Sequence, residues 1–130
     1  MTMSKVLVVD DNRTYLEAIS SLLSESGLEV STAMDGVEAM DIIRQQKPDV
    51  VVLDIVMPGM NGYEVCREVK KDESTKHIRI VVCSTKDQVF DIEWAKRNQA
   101  DAYVTKPFKP QELLATIKQQ LREIKETSQK

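Results

Sequence analysis

The sequence predicts an α/β fold: a doubly wound, five-stranded parallel sheet flanked by five helices. Three observations carry that reading. Short apolar runs alternate five times with segments of helical period along the chain. The runs VLVV (6–9), DVVVLDI (49–55) and IRIVVC (78–83) barely alternate apolar with polar residues, as strands covered on both faces do. Parallel neighbours need right-handed crossovers, which the intervening helices supply.

Taken in order, VLVV opens the sheet, and Leu16, Ile19, Leu22 and Leu23 form a helical stripe that stops at Gly27, a residue suited to a left-handed C-terminal cap. LEVSTA (28–33) is the second strand. Val37, Met40 and Ile43 make the next stripe, ended by Pro48. After DVVVLDI, the loop MPGMNG carries Pro58, Gly59 and Gly62 and must turn tightly. Val65 and Val69 support a third helix. IRIVVC is followed by a fourth helix over 87–98, on which Trp94 is expected to pack against the core. ADAYVT (100–105) completes the strands. Leu113, Leu114, Ile117, Leu121 and Ile124 mark the fifth helix, with Pro110 near its start. One domain over 1–126 and a short polar tail at 127–130 are expected.

Composition narrows the function. A length of 130 residues suits one domain with a proper core. Eighteen basic residues against 21 acidic ones, with a pI near 5.2, leave no basic excess to track a phosphate backbone, so nucleic acid is not an expected partner. Cys66 and Cys83 lack CxxC spacing and read as small buried hydrophobes in a reducing compartment. His77 has no companion ligands. With no leader and no apolar run of membrane length, the chain is expected to be soluble, cytoplasmic and free of the membrane.

The chemistry lies where strands end. In such a sheet, ligands bind outside the carboxyl ends of the strands, where strand order reverses. There the sequence sets Asp10 and Asp11 after the first strand, Asp54 after the third, Ser84 and Thr85 after the fourth, and Lys106 after the fifth. Two adjacent carboxylates at ~4 Å repel by roughly 4 kcal/mol at an effective dielectric of ~20. A basic side chain, a shared proton or a bound cation can offset that cost.

Four fragments, VVDDN (8–12), VVLDIVMPGMNGYEV (51–65), VVCSTK (81–86) and DAYVTKPF (101–108), come in this order at these separations. Together they resemble the receiver domain of two-component response regulators, from about Lys5 to Leu121. The resemblance implies a flavodoxin-like sheet of order 2-1-3-4-5 and phosphorylation of Asp54 by a sensor histidine kinase. It further implies Mg²⁺ held by Asp11, Asp54 and the Val56 carbonyl, with Asp10 acting mainly through water. Lys106 and the Ser84 hydroxyl would meet the phosphoryl oxygens, and Ser84 and Tyr103 would form the switch. The readout would be the face of the fifth strand and the fourth and fifth helices, around Trp94, Tyr103 and Phe108.

The chain is thus expected to be a phosphoacceptor signalling protein rather than an enzyme, a monomer or weak dimer with no output domain following, acting by docking to another protein. A phosphoryl sink or relay, or a scaffold independent of phosphorylation, stays open. The run 84–108 resembles single-domain, chemotaxis-like regulators of type IV pili, twitching motility and phototaxis. Val56 and Lys86 stand where the best-known chemotaxis regulators carry side chains able to orient a hydrolytic water, so slow loss of the phosphoryl group is expected. A phosphatase with an aspartate nucleophile would need a second acid two residues after the first, but Asn12 follows Asp10 and Val56 follows Asp54. A flavin or nucleotide binder would need a Gly-rich or Ser/Thr-rich loop where DDNRTY stands.

Overall fold

The computed structural model describes residues 3–128 of the chain. Five strands, β1 (Lys5–Val9), β2 (Glu29–Ala33), β3 (Val50–Leu53), β4 (Arg79–Ser84) and β5 (Ala102–Thr105), alternate with α1 (Arg13–Glu25), α2 (Gly36–Gln46), α3 (Gly62–Lys71), α4 (Val89–Arg97) and α5 (Pro110–Ser128). All strand pairs are parallel, and the order is β2-β1-β3-β4-β5. This is the expected order, with β1 and β3 at the reversal point.

Two apolar layers explain why the central strands do not alternate. Leu7, Val51, Leu53, Ile80 and Val82 pack beneath α2 and α3 on one face, and Val6, Val8, Val50, Val52 and Val81 pack beneath α1 and α5 on the other. All four residues of β3 are buried. Each such aliphatic side chain contributes about 1.5–3 kcal/mol on leaving water, so the middle of the sheet is its firmest part.

Helix boundaries follow local chemistry. Asn12, Asp35 and Asn61 cap α1, α2 and α3, each side chain accepting the backbone N–H of the third residue of its helix. Gly27 follows α1 at φ 87, the left-handed conformation expected of it. Two expectations need correction. Val37 is 64% exposed, because α2 turns Gly36, Ala39, Met40 and Ile43 inward and Val37 lies about 100° round the helix from Gly36. Trp94 is 46% exposed, because α4 buries only the small Ala95 and the capping Asp91, leaving the indole edge-on against Tyr63. α5 extends through Ser128, so positions 127 and 128 of the expected tail are helical, and 129–130 lie outside the described residues.

Candidate functional site

Register assembles the site. Val9 pairs with Leu53, so the next residues, Asp10 and Asp54, emerge side by side, with the Asp54 amide donating to the Val9 carbonyl at 3.0 Å. Ser84 pairs with Thr105, and the Lys106 amide donates to the Ser84 carbonyl at 2.8 Å. Lys106 therefore leaves the same rim as the acids, and its side chain runs back over the strand ends toward β1.

The oxygens of Asp10, Asp11 and Asp54 can all lie within 4.8 Å of one another. Their environments differ sharply. Asp10 is 2% exposed, and Lys106 Nζ donates to it at 2.5 Å, while the same nitrogen is 3.5 Å from Asp54. Asp11 is exposed. The close Asp10–Asp11 pair suggested by the sequence is thus relieved on one side by a basic side chain. The cluster still holds three carboxylates against one ammonium.

Burial pushes the Asp54 carboxyl above the usual aspartate range; Lys106 opposes this, the field of Asp10 adds to it, and the backbone N–H groups of Val56 and Ile55 pull it back. Burial works against the Lys106 charge, yet its bond to Asp10 and the fields of Asp54 and Asp10 raise the ammonium above its ordinary value. Lys106 is thus kept charged by the two acids, whereas for Asp54 burial outweighs the attraction of that ammonium.

The loop after β3 closes against the site. Gly59 takes φ 73, and a Cβ on Gly62 would collide with the Asp54 carbonyl, so both glycines are demanded by the backbone. Val56 is exposed at 53%. Ser84 is fully buried, and its Oγ accepts the Lys86 amide at 3.2 Å. The Tyr103 hydroxyl donates to the Lys86 carbonyl at 2.6 Å, and burial pushes that phenol up to about 12. Lys86 thus links Ser84 to Tyr103 through its backbone. Thr85 and His77 are exposed.

The aromatic residues expected around the readout are divided between the two layers that meet at the edge strand β5. Phe108 packs with the α1 and α5 layer, whereas Tyr103 and Tyr63, the neighbour of Trp94, pack with the α2 and α3 layer. One contact had no expectation behind it: Lys106 Nζ lies 4.1 Å from the ring centroid of Tyr15, and that ring meets Phe108 at 6.2 Å. An aromatic residue in the first turn of α1, directly after the acids, is the only signal of it in the sequence.

Comparison with known proteins gives a consistent picture. The family described as "Response regulator receiver domain" matches residues 6–118. Protein PilH of Pseudomonas aeruginosa is 42% identical over 115 residues, covering 88% of this chain and 95% of PilH. The DNA-binding response regulator MtrA of Mycobacterium tuberculosis is 36% identical over 118 residues, which are 91% of this chain and 50% of MtrA, so the chain spans about half of that relative. Among solved structures, the chemotaxis protein CheY4 of Vibrio cholerae superposes with a TM-score of 0.86 at 33% identity, covering 91% of this chain and 98% of that one. A CheY-like receiver domain protein of Methanospirillum hungatei gives 0.91 at 25% identity, covering 97% and 99%.

Proposed function

The chain belongs to the response regulator receiver domain family, and on that premise we propose that Asp54 is the residue that takes a phosphoryl group from a sensor histidine kinase. The observation that carries this reading is the cluster of Asp10, Asp11 and Asp54 around the single ammonium of Lys106. Among the described residues, three carboxylates gather there against one paired ammonium.

In the proposed step an Asp54 oxygen attacks phosphorus, the bond from phosphorus to the donor histidine nitrogen breaks, and the imidazole leaves with that electron pair. Donor and acceptor are both anionic, so positive charge must meet the equatorial oxygens. Lys106 supplies part of it, and its 3.5 Å separation from Asp54 puts it within reach of a group bound there. The Ser84 hydroxyl, whose oxygen accepts the Lys86 amide, would donate its own O–H to another oxygen.

An all-oxygen set of three carboxylates fits Mg²⁺, which is held by a few carboxylates while keeping waters. Asp11, Asp54 and the Val56 carbonyl would hold it, with Asp10 acting through water. When bound, the ion neutralises charge that builds on the transferring group.

Ser84 and Tyr103, joined through Lys86, would carry the change to β5 and the neighbouring faces of α4 and α5, where a downstream protein docks. Likeness to PilH supports a role in pilus-based or related motility in the cytoplasm. Val56 and Lys86 stand where a carboxamide or carboxylate could orient a hydrolytic water, and their side chains favour slow spontaneous hydrolysis, with a phosphoryl lifetime of many minutes. Loss of radiolabel within seconds in the purified protein would reject that lifetime.

The deciding experiment is incubation with acetyl phosphate and Mg²⁺ followed by intact mass, on the parent and on Asp54→Asn. One added phosphoryl group in the parent alone supports the assignment. Equal uptake by both, or by neither, overturns it.

A further inference from the structure

The phosphoryl-transfer reading leaves the ring of Tyr15 without a part, yet it faces the cation at the centre of the acids. Lys106 Nζ meets Asp10 at 2.5 Å and Asp54 at 3.5 Å, and it also lies over the Tyr15 ring, 4.1 Å from the centroid. The ring is itself fixed. Asn12 caps α1 by accepting the Tyr15 amide at 3.1 Å, and Phe108, two residues beyond Lys106, packs against the ring at 6.2 Å and 44°. From α1, then, one side chain touches both sides of the Lys106–Pro107–Phe108 turn.

We propose that Tyr15 is a positioning residue for phosphoryl transfer at Asp54, its ring face holding the Lys106 ammonium over the Asp10 and Asp54 carboxylates. The proposal rests on the assignment of Asp54 as the acceptor. A lysine on a four-carbon stem loses much rotamer freedom to keep one geometry, and something must favour that geometry. A ring face does so without taking any of the three N–H donors, which remain available to oxygens. A fourth carboxylate in the same place would also hold the ammonium, but it would repel an incoming phosphoryl group. A neutral π face avoids that cost.

The ring rather than the hydroxyl meets the cation, so Tyr15→Phe should behave as the parent and Tyr15→Leu should not. In the metal-free protein, NMR should show the Lys106 ε-methylene protons moved upfield by the ring in the parent and in Tyr15→Phe, and released in Tyr15→Leu. With acetyl phosphate and Mg²⁺, Tyr15→Leu should take up the phosphoryl group about fivefold more slowly, and Tyr15→Phe within about twofold of the parent. Should Tyr15→Leu lose its fold by circular dichroism, Tyr15→Met serves in its place with the same expectations. Equal rates in Tyr15→Leu and the parent, equal slowing in Tyr15→Phe and Tyr15→Leu, or unshifted Lys106 protons in the parent would each overturn the proposal. If the parent takes up no phosphoryl group, the Asp54 assignment has failed instead, and the proton shifts alone decide whether the ring holds the cation.

Discussion

The two ends of the sheet are both charged, but only one is balanced. At the amino end of β4 and β5, Lys70 donates to Asp101 at 2.9 Å and to the Ile78 carbonyl at 2.7 Å, and Asp101 accepts the Ile80 amide at 2.7 Å. Arg79 completes the group, 3.6 Å from Asp101 and 3.2 Å from Glu123. Two cations there meet two carboxylates. At the carboxyl end, Lys106 faces Asp10, Asp11 and Asp54. A polar network that closes on itself adds stability and has little to offer a ligand, whereas surplus charge at one rim is what a cation or a phosphoryl group can complete.

The largest effect should come from breaking the balanced end. Asp101→Ala leaves the largely buried Lys70 ammonium without its carboxylate partner and the Ile80 amide without its acceptor, and should cost about 2–3 kcal/mol in a denaturant melt. Its response to Mg²⁺ should match the parent's. An Asp101→Ala protein as stable as the parent would show that the network is ornamental surface charge, and the contrast between the two ends would fail.

Next comes the unbalanced end. Mg²⁺ at ten times its Kd should stabilise the parent by about 1.4 kcal/mol, by binding the folded state alone. The increment should shrink markedly in Asp54→Asn and in Asp11→Asn while persisting in Asp101→Ala. A melting temperature of the parent that ignores Mg²⁺ would remove the ion from this account.

A smaller change of opposite sign to the first is expected from Asp54→Asn without metal. Burial lifts the Asp54 carboxyl above its usual range, so its ionised form is disfavoured in the folded chain relative to the unfolded one. The folded state then holds the proton more tightly, and this group's contribution to stability falls as pH rises from the usual aspartate value through the raised one. At neutral pH the amide escapes that cost. Asp54→Asn should therefore unfold at slightly higher denaturant than the metal-free parent, with a flatter acid-side profile. Destabilisation would mean that the attraction to Lys106 outweighs burial.

Much of the site was legible because its residues directly follow buried strands. Asp10, Asp54 and Lys106 each come one residue after a strand, and parallel register does the rest. Strand order was legible only through the family resemblance, since apolar runs carry no information on which neighbour they choose. What stayed hidden depends on how helices and loops rotate against one another. Val37 looked like core because it shares a three-residue spacing with Met40, yet α2 faces the sheet with Gly36 and Ala39. The pairing of Asp10 with Lys106, 96 positions away, and the contact of the Tyr15 ring with that lysine are made through a long flexible side chain whose direction no local pattern fixes.

The finest test of the contrast uses the two thiols, which sit on opposite faces of the sheet. Cys66 lies on the buried face of α3 and donates to the Asn98 carbonyl at 2.9 Å, and Cys83 lies one residue before Ser84, near the carboxyl rim. Burial pushes both up to about 12, and in Cys83 it outweighs the opposing field of Lys106. At about pH 8 only roughly one thiol in 10⁴ would be ionised, so neither should react with a thiol reagent in the folded protein except through opening. If surplus charge loosens the rim, Cys83 should be labelled faster than Cys66, and Mg²⁺ should slow Cys83 alone. Equal labelling of both, slowed equally by Mg²⁺, would mean that the sheet opens as one unit and that the imbalance at its rim stays electrostatic without becoming local motion.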